Sequence, residues 1–227
     1  MNESTSRPSL GIWNLIMVPA VITLAITILR LVGELQGWPS PWFSKAAGGG
    51  LAIVGISWLP ILFGPYFAWK LAAAGDGPSS SGKPIAAAVV SAVIFVLGGM
   101  LFGRTIQHPS FLTLLALILQ LVAAFVPGIA WRSLGNTLLA YAFAARIPVL
   151  IVMFIAMSAN GGQGWGTHYD VVPPEYHGFS LVHKFVYFAF LPQMTLWIGW
   201  TVAVGALVGT VIAAIFRPGK RAAAVAA

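Results

Sequence analysis

Cysteine is absent from the sequence, and charged residues are scarce, at 7% of the 227 residues. The lack of cysteine excludes disulfides, thiolate metal sites and cysteine nucleophiles. A soluble domain carries about 25% charged residues, and a chain with so few charges cannot cover a surface that faces water. Hydrophobic residues make up 59% of the chain, and the mean hydropathy is +0.89. We therefore predict an integral membrane protein that has the lipid bilayer as its main partner.

Several functional signatures are also missing. The sequence has no HExxH metalloprotease motif, no GxSxG nucleophile elbow and no glycine-rich phosphate loop. Its basic residues are scattered between apolar runs, whereas a nucleic-acid-binding protein concentrates them on one face. These absences argue against nucleic acid as a partner, and they favour a non-catalytic protein over an enzyme.

Apolar runs of about 20 residues, the length that crosses a hydrocarbon core of roughly 30 Å, define the architecture. The last run, 181–216, is too long for one crossing, and Pro192 is expected to divide it because proline disrupts a helix interior. Its first part, 181–191, carries Lys184 and several aromatic residues, which is typical of an interfacial segment. An outer loop is predicted at 160–180. The sequence thus predicts an all-α polytopic transmembrane helical bundle, a single domain over 1–227 with about six spans, at 10–32, 51–71, 84–102, 111–130, 138–159 and 193–216.

The distribution of Lys and Arg between the loops predicts the orientation. With six spans, both termini lie on the side that holds more of these residues. We therefore expect a multi-pass protein of the cell membrane with both termini cytoplasmic. The basic residues on the predicted cytoplasmic side are Arg7, Lys70, Lys83, Arg132, Arg217, Lys220 and Arg221, against Arg30, Lys45, Arg104 and Lys184 on the other.

Two glycine pairs have the GxxxG spacing that lets helix backbones approach closely. They are Gly99 with Gly103, and Gly205 with Gly209. The spacing favours packing within one bundle, and a homo-oligomer is the alternative.

Arg146 falls near the middle of the fifth predicted span, where a charged side chain costs about 2.5–3.5 kcal/mol. No Asp or Glu lies in the middle of any predicted span. Arg146 either binds an anion or snorkels towards the membrane surface. In the second predicted span, Pro60 and Gly64 break the helical pattern, which indicates either a discontinuous helix that binds a ligand or a simple kink.

The outer loop contains residues of the types that bind metals: His168, Asp170, Glu175 and His177. Their spacing matches no established zinc signature, and the alternative is an ordinary polar loop. His108 and His183 lie on the same predicted side and would suit haem iron only if a pocket surrounded them. No cofactor is predicted, and a metal or haem is the alternative. Arg30 and Glu34, one helical turn apart, are expected to form a local ion pair.

Three hypotheses for function follow from these observations. The first is a non-catalytic accessory or organising subunit that contacts a membrane protein partner or lipid, because packing residues are abundant and catalytic groups are few. The second is a small transporter or channel for an anionic or neutral solute, using Arg146 and a broken second span. The third is a metal-dependent activity on the outer face.

Overall fold

The computed structural model describes residues 11–50, 52–105 and 110–216. Across these ranges the chain forms helices, turns and loops and contains no strand, so the predicted all-α fold is confirmed. Two short 3₁₀ turns, Ala47–Gly49 and Pro174–Tyr176, lie in the loops. The helices are α1 (Ile12–Leu35), α2 (Leu59–Ala73), α3 (Gly82–Thr105), α4 (Phe111–Ala123), α5 (Val126–Ala130), α6 (Arg132–Gly162) and α7 (Leu181–Phe216).

Five helical runs in the described part of the chain are long and apolar enough to cross a membrane: α1, α3, α4 together with α5, α6, and α7. Helix α2 has 15 residues, which is about 22 Å at the rise of an α-helix and shorter than a hydrocarbon core of about 30 Å. The protein is therefore a membrane protein built from five long helices and one short one.

The surface of the bundle is apolar, while several small polar side chains lie inside it. Val93, Val96 and Leu97 of α3 are all exposed. By contrast, Thr23 of α1 is buried, and its hydroxyl lies 2.8 Å from the hydroxyl of Tyr141 on α6. A surface of this kind suits lipid, where polar groups must find partners within the protein.

Helix α2 begins at Leu59, so the predicted start of the second span at 51 was wrong. The preceding residues, 52–58, form turns. Their backbone finds partners in the first loop, where the Ile53 amide donates to the Pro41 carbonyl at 3.1 Å. Pro60 consequently lies in the first turn of α2, where its missing N–H costs no helical hydrogen bond.

Pro192 does not divide the last apolar run, and this prediction was also wrong. Helix α7 continues through Pro192, whose φ and ψ are −60° and −41°. Two π turns, Val186–Phe190 and Gln193–Trp197, flank the proline. Such local adjustments let a membrane helix accommodate proline. The segment predicted to lie separately at the interface, 181–191, is therefore the first part of a continuous helix of 36 residues.

Glycines bring α2 and α7 into close contact. A Cβ atom added at Gly209 would lie 2.7 Å from the carbonyl oxygen of Gly64, and Gly64 also meets the backbone of Gly205. The GxxxG pair predicted on α7 thus packs within the bundle, as expected.

The GxxxG prediction for α3 was wrong. A Cβ added at Gly103 would meet nothing within 4 Å. The glycine that approaches α4 is Gly98, where an added Cβ would lie 3.0 Å from the Ala116 carbonyl oxygen. Spacing alone could not distinguish these neighbouring positions.

Candidate functional site

An ion pair lies at the end of α1. Arg30 Nε donates to Glu34 Oε1 at 2.8 Å, which confirms the predicted pair. Both residues are buried, and Arg30 makes further hydrogen bonds to the first loop. Its Nη2 donates to the carbonyls of Ser44 at 3.0 Å and Gly49 at 2.7 Å. Arg30 is therefore held by one carboxylate and two carbonyls, and it fixes the first loop against α1.

Glu34 also binds the outer loop through His168. The His168 backbone amide donates to Glu34 Oε2 at 2.8 Å, and the Nδ1 atom of its ring lies 2.7 and 2.8 Å from the two carboxylate oxygens. Burial lowers the pKa of His168 below its usual 6.5, and the hydrogen bond to Glu34 opposes this shift. Neutral His168 can donate from Nδ1 to the Glu34 carboxylate. We call Arg30, Glu34 and His168 the outer network.

Tyr169, next to the outer network, anchors the same loop to α1. Its hydroxyl donates to the Thr27 carbonyl at 3.2 Å, and its side chain is buried. Burial raises the pKa of Tyr169, so its hydroxyl stays protonated at neutral pH and remains a donor.

The four predicted metal ligands of the outer loop do not come together. Asp170 instead accepts hydrogen bonds from the backbone amides of Gly166 at 2.8 Å and Thr167 at 2.9 Å. His168 binds Glu34, His177 Nε2 lies 3.0 Å from a backbone carbonyl, and Glu175 is exposed. Throughout residues 11–50, 52–105 and 110–216, no three His, Asp or Glu side chains are placed to hold a metal ion. The predicted set His168, Asp170, Glu175 and His177 therefore does not form a metal site.

The histidine pair considered for haem cannot be compared as a pair, because His108 lies outside the described residues. His183 is exposed, and its ring stacks on Tyr187 with 5.6 Å between ring centroids. This contact explains His183 as a member of an aromatic surface on α7.

A cavity of about 620 Å³ lies below the outer network. Helices α1, α6 and α7, the residues before α2 and the outer loop all contribute to its wall. Most of the wall is apolar or aromatic. Polar groups reach it from Thr27, Arg30, Ser57, Arg146, His168 and Gln193, and apolar groups from residues that include Val149, Met153, Tyr169, Phe188, Leu196 and Trp197.

Arg146 reaches this cavity from α6, about 21 Å along the helix from Arg132. It is 3% exposed, so its side chain does not snorkel to the surface of the described structure. The guanidinium carbon lies 4.8 Å from the centroid of the Trp197 ring, a cation–π distance. The Nε atom has no hydrogen-bond partner among the described residues, where both ion pairs belong to Glu34. Arg146 thus presents a buried positive charge that no protein carboxylate neutralises.

Gln193, which sequence reasoning missed, lies one helical turn before Trp197 and also lines the cavity. It is 8% exposed, its Nε2 atom lies 3.6 Å from Met153 Sδ, and its Oε1 atom has no partner within the described ranges. A lone amide inside a long apolar run was the available sequence signal. Gln193 adds an unused polar atom to the wall that contains Arg146.

Pro60 and Gly64 are not among the residues that line the cavity. Gly64 packs against α7, and Pro60 begins α2. Ile56 and Ser57, just before α2, reach the cavity instead. The predicted ligand site at Pro60 and Gly64 was therefore misplaced, although Arg146 does line a cavity.

Comparison with known proteins found no match to a family model, a curated protein or a solved structure. The function must therefore be argued from the cavity and its charged residue.

Proposed function

We propose that the protein is a small transporter or channel for an organic anion, which binds in the cavity at Arg146. The observation that carries this proposal is the buried guanidinium, whose Nε faces no acceptor among the described residues. An anion in the cavity would supply the missing acceptor and the missing negative charge.

The energetic reason is the cost of an unpaired charge inside a membrane protein. A charged residue at the centre of a membrane helix costs about 2.5–3.5 kcal/mol on insertion scales. The ring of Trp197 offsets part of this cost, since a cation–π contact contributes about 0.5–2 kcal/mol. A bound anion would provide charge-assisted hydrogen bonds, which are stronger than neutral ones.

The other hypotheses have less support. No specific contact in the described structure identifies an accessory role, so that hypothesis stays a prediction, as do the orientation of the termini and the absence of catalysis. Arg7, Arg217, Lys220 and Arg221, on which the orientation partly depends, lie outside the described residues. The metal-dependent hypothesis loses its support because its four ligands are dispersed.

Flux into liposomes tests the proposal. The full chain would be reconstituted in phosphatidylcholine vesicles, with methanesulfonate, benzenesulfonate and octanesulfonate as probes. Sulfonates stay ionised at all practical pH values, so they do not leak through lipid in a neutral form. We expect flux of at least one probe, reduced about tenfold or more in Arg146→Met, because a hydrogen bond to a charged group contributes about 1.5–3 kcal/mol.

The matched control is Arg132→Met, on the same helix but exposed. This variant removes the same charge without touching the cavity, and its flux should equal that of the unaltered chain. No flux of any probe, or equal flux in the Arg146→Met protein, would contradict the proposed function.

A further inference from the structure

We infer that the cavity takes a monoanionic amphiphile, with its charged oxygen atoms at Arg146 and an apolar body along α6 and α7. This inference rests on the proposed function, because it names the ligand class of the same site. It follows from three properties of the cavity wall: its free positive charge, its apolar lining and its size.

The wall offers one free positive charge. Two arginines, Arg30 and Arg146, line the cavity. Arg30 is already held by the Glu34 carboxylate and by two loop carbonyls. Only Arg146, of these two, lacks an acidic partner among the described residues. One uncompensated charge matches one negative charge, and a second buried anionic group would have no counter-ion there.

The remainder of the wall suits an apolar body. Val149 and Met153 follow Arg146 along one face of α6, at intervals of three and four residues. Leu196 and Phe188 of α7 contribute further apolar surface. The volume of about 620 Å³ falls within the roughly 300–1,000 Å³ typical of sites for drug-sized molecules. A small inorganic anion would leave most of this apolar wall without contacts.

Gln193 gives the headgroup a second polar contact. It precedes Trp197 by four residues on α7, and Trp197 in turn packs on the Arg146 guanidinium. An amide can both donate and accept, so Gln193 suits an oxyanion oxygen or a neighbouring hydroxyl of the ligand. The arrangement makes Arg146 the charge-binding residue and Gln193 a neutral specificity residue.

Equilibrium binding to the full chain in phosphatidylcholine nanodiscs tests the ligand class with four probes. Octanesulfonate has the charge and the apolar body, methanesulfonate has only the charge, octanol has only the body, and octane-1,8-disulfonate has two charges. We expect octanesulfonate to bind at least tenfold more tightly than methanesulfonate and the disulfonate. Arg146→Met should weaken octanesulfonate at least tenfold and leave octanol unchanged, which also shows that the variant keeps its cavity.

Arg132→Met should bind all four probes as the unaltered chain does. Gln193→Leu should weaken octanesulfonate about threefold to tenfold, in line with the loss of one neutral hydrogen bond. Equal affinity for methanesulfonate and octanesulfonate would overturn the amphiphile class while leaving Arg146-dependent flux intact. Equal affinity for the disulfonate would overturn the single charge.

Further outcomes separate this inference from the proposed function. Tight octanesulfonate binding without flux would support the inference and contradict transport. Unchanged octanesulfonate binding in the Arg146→Met protein would overturn the inference. Phosphatidylglycerol added to the nanodiscs distinguishes two sources of the same chemistry: competition supports the inference with a membrane lipid as the ligand, and no competition supports it with a free solute.

Discussion

Arg30 and Arg146 are both buried arginines that line one cavity, yet their surroundings differ completely. Arg30 binds a carboxylate and two carbonyls, whereas Arg146 has an aromatic ring and an unpartnered Nε within the described structure. A saturated buried charge holds parts of the chain together. An unsaturated one is available to something that is not part of the chain, and the difference assigns structure to Arg30 and binding to Arg146.

The largest expected effect comes from breaking the outer network. Glu34→Ala would leave Arg30 buried without its carboxylate and remove the acceptor of His168. Removing one partner of a buried ion pair costs about 3–5 kcal/mol. We expect a loss of this size in the free energy of unfolding, measured by SDS titration in mixed micelles. Glu175→Ala is the matched control, since Glu175 is exposed, and it should change stability by less than about 0.5 kcal/mol. Similar losses in both variants would refute the structural role of the network.

A packing variant sets a scale against which the loss of charge pairing can be judged. Gly64→Ala would place a methyl group against the backbone of α7, and overpacking of this kind costs about 1–3 kcal/mol. Gly103→Ala meets nothing within 4 Å and should be neutral or slightly stabilising. The same titration measures both variants. A neutral Gly64→Ala would show that α2 and α7 pack less closely than described.

Acid sharpens the role of His168 in the outer network. Because its pKa is lowered in the folded protein, the unfolded chain binds more protons between that value and about 6.5. The stabilisation is therefore complete above pH 6.5 and is lost as the pH falls through the folded-state pKa, at up to about 1.4 kcal/mol per pH unit. Arg30, Glu34 and Asp170 are the charged groups that act on His168.

Thermal unfolding between pH 5 and 8 measures this dependence. His168→Gln should flatten the acid side of the profile, while His177→Gln, at an exposed position of the same loop, should leave it unchanged. A profile that is equally steep in all three proteins would assign the acid sensitivity to other groups.

Replacement of the unpaired arginine should have the smallest effect on stability. Arg146→Met removes a buried charge that no carboxylate compensates, and it also removes the contact with Trp197. The two changes oppose each other, so we expect a net loss below about 1 kcal/mol, or a gain, in the same SDS titration. A loss as large as that of Glu34→Ala would remove the distinction between the two arginines.

The sequence predicted the features that depend on residues close together in the chain. Apolar runs predicted the long helices, because a membrane helix needs only its own backbone hydrogen bonds. The Arg30–Glu34 pair followed from a separation of one helical turn. Arg146 stood out because a charge inside an apolar run is costly wherever its neighbours lie.

The features that were missed depend on distant residues. Helix α2 starts late because the backbone of Ile53 bonds to Pro41. Asp170 had the composition of a metal ligand, yet nearby amides of its own loop take its oxygens. Gln193 became a site residue only through its place opposite α6. No local pattern carries this information.

The two π turns of α7 give its first part a spare residue. A π turn closes its hydrogen bond over five residues instead of four, so each contains one more residue than an α turn. A one-residue deletion within Val186–Phe190 can therefore be absorbed by conversion to α geometry, with Ile198–Phe216 kept in register. The same deletion within Ile198–Phe216 would rotate the rest of the helix by about 100° and turn its glycines away from α2. Length variation in this helix should thus be tolerated beside the cavity and rejected along the contact with α2.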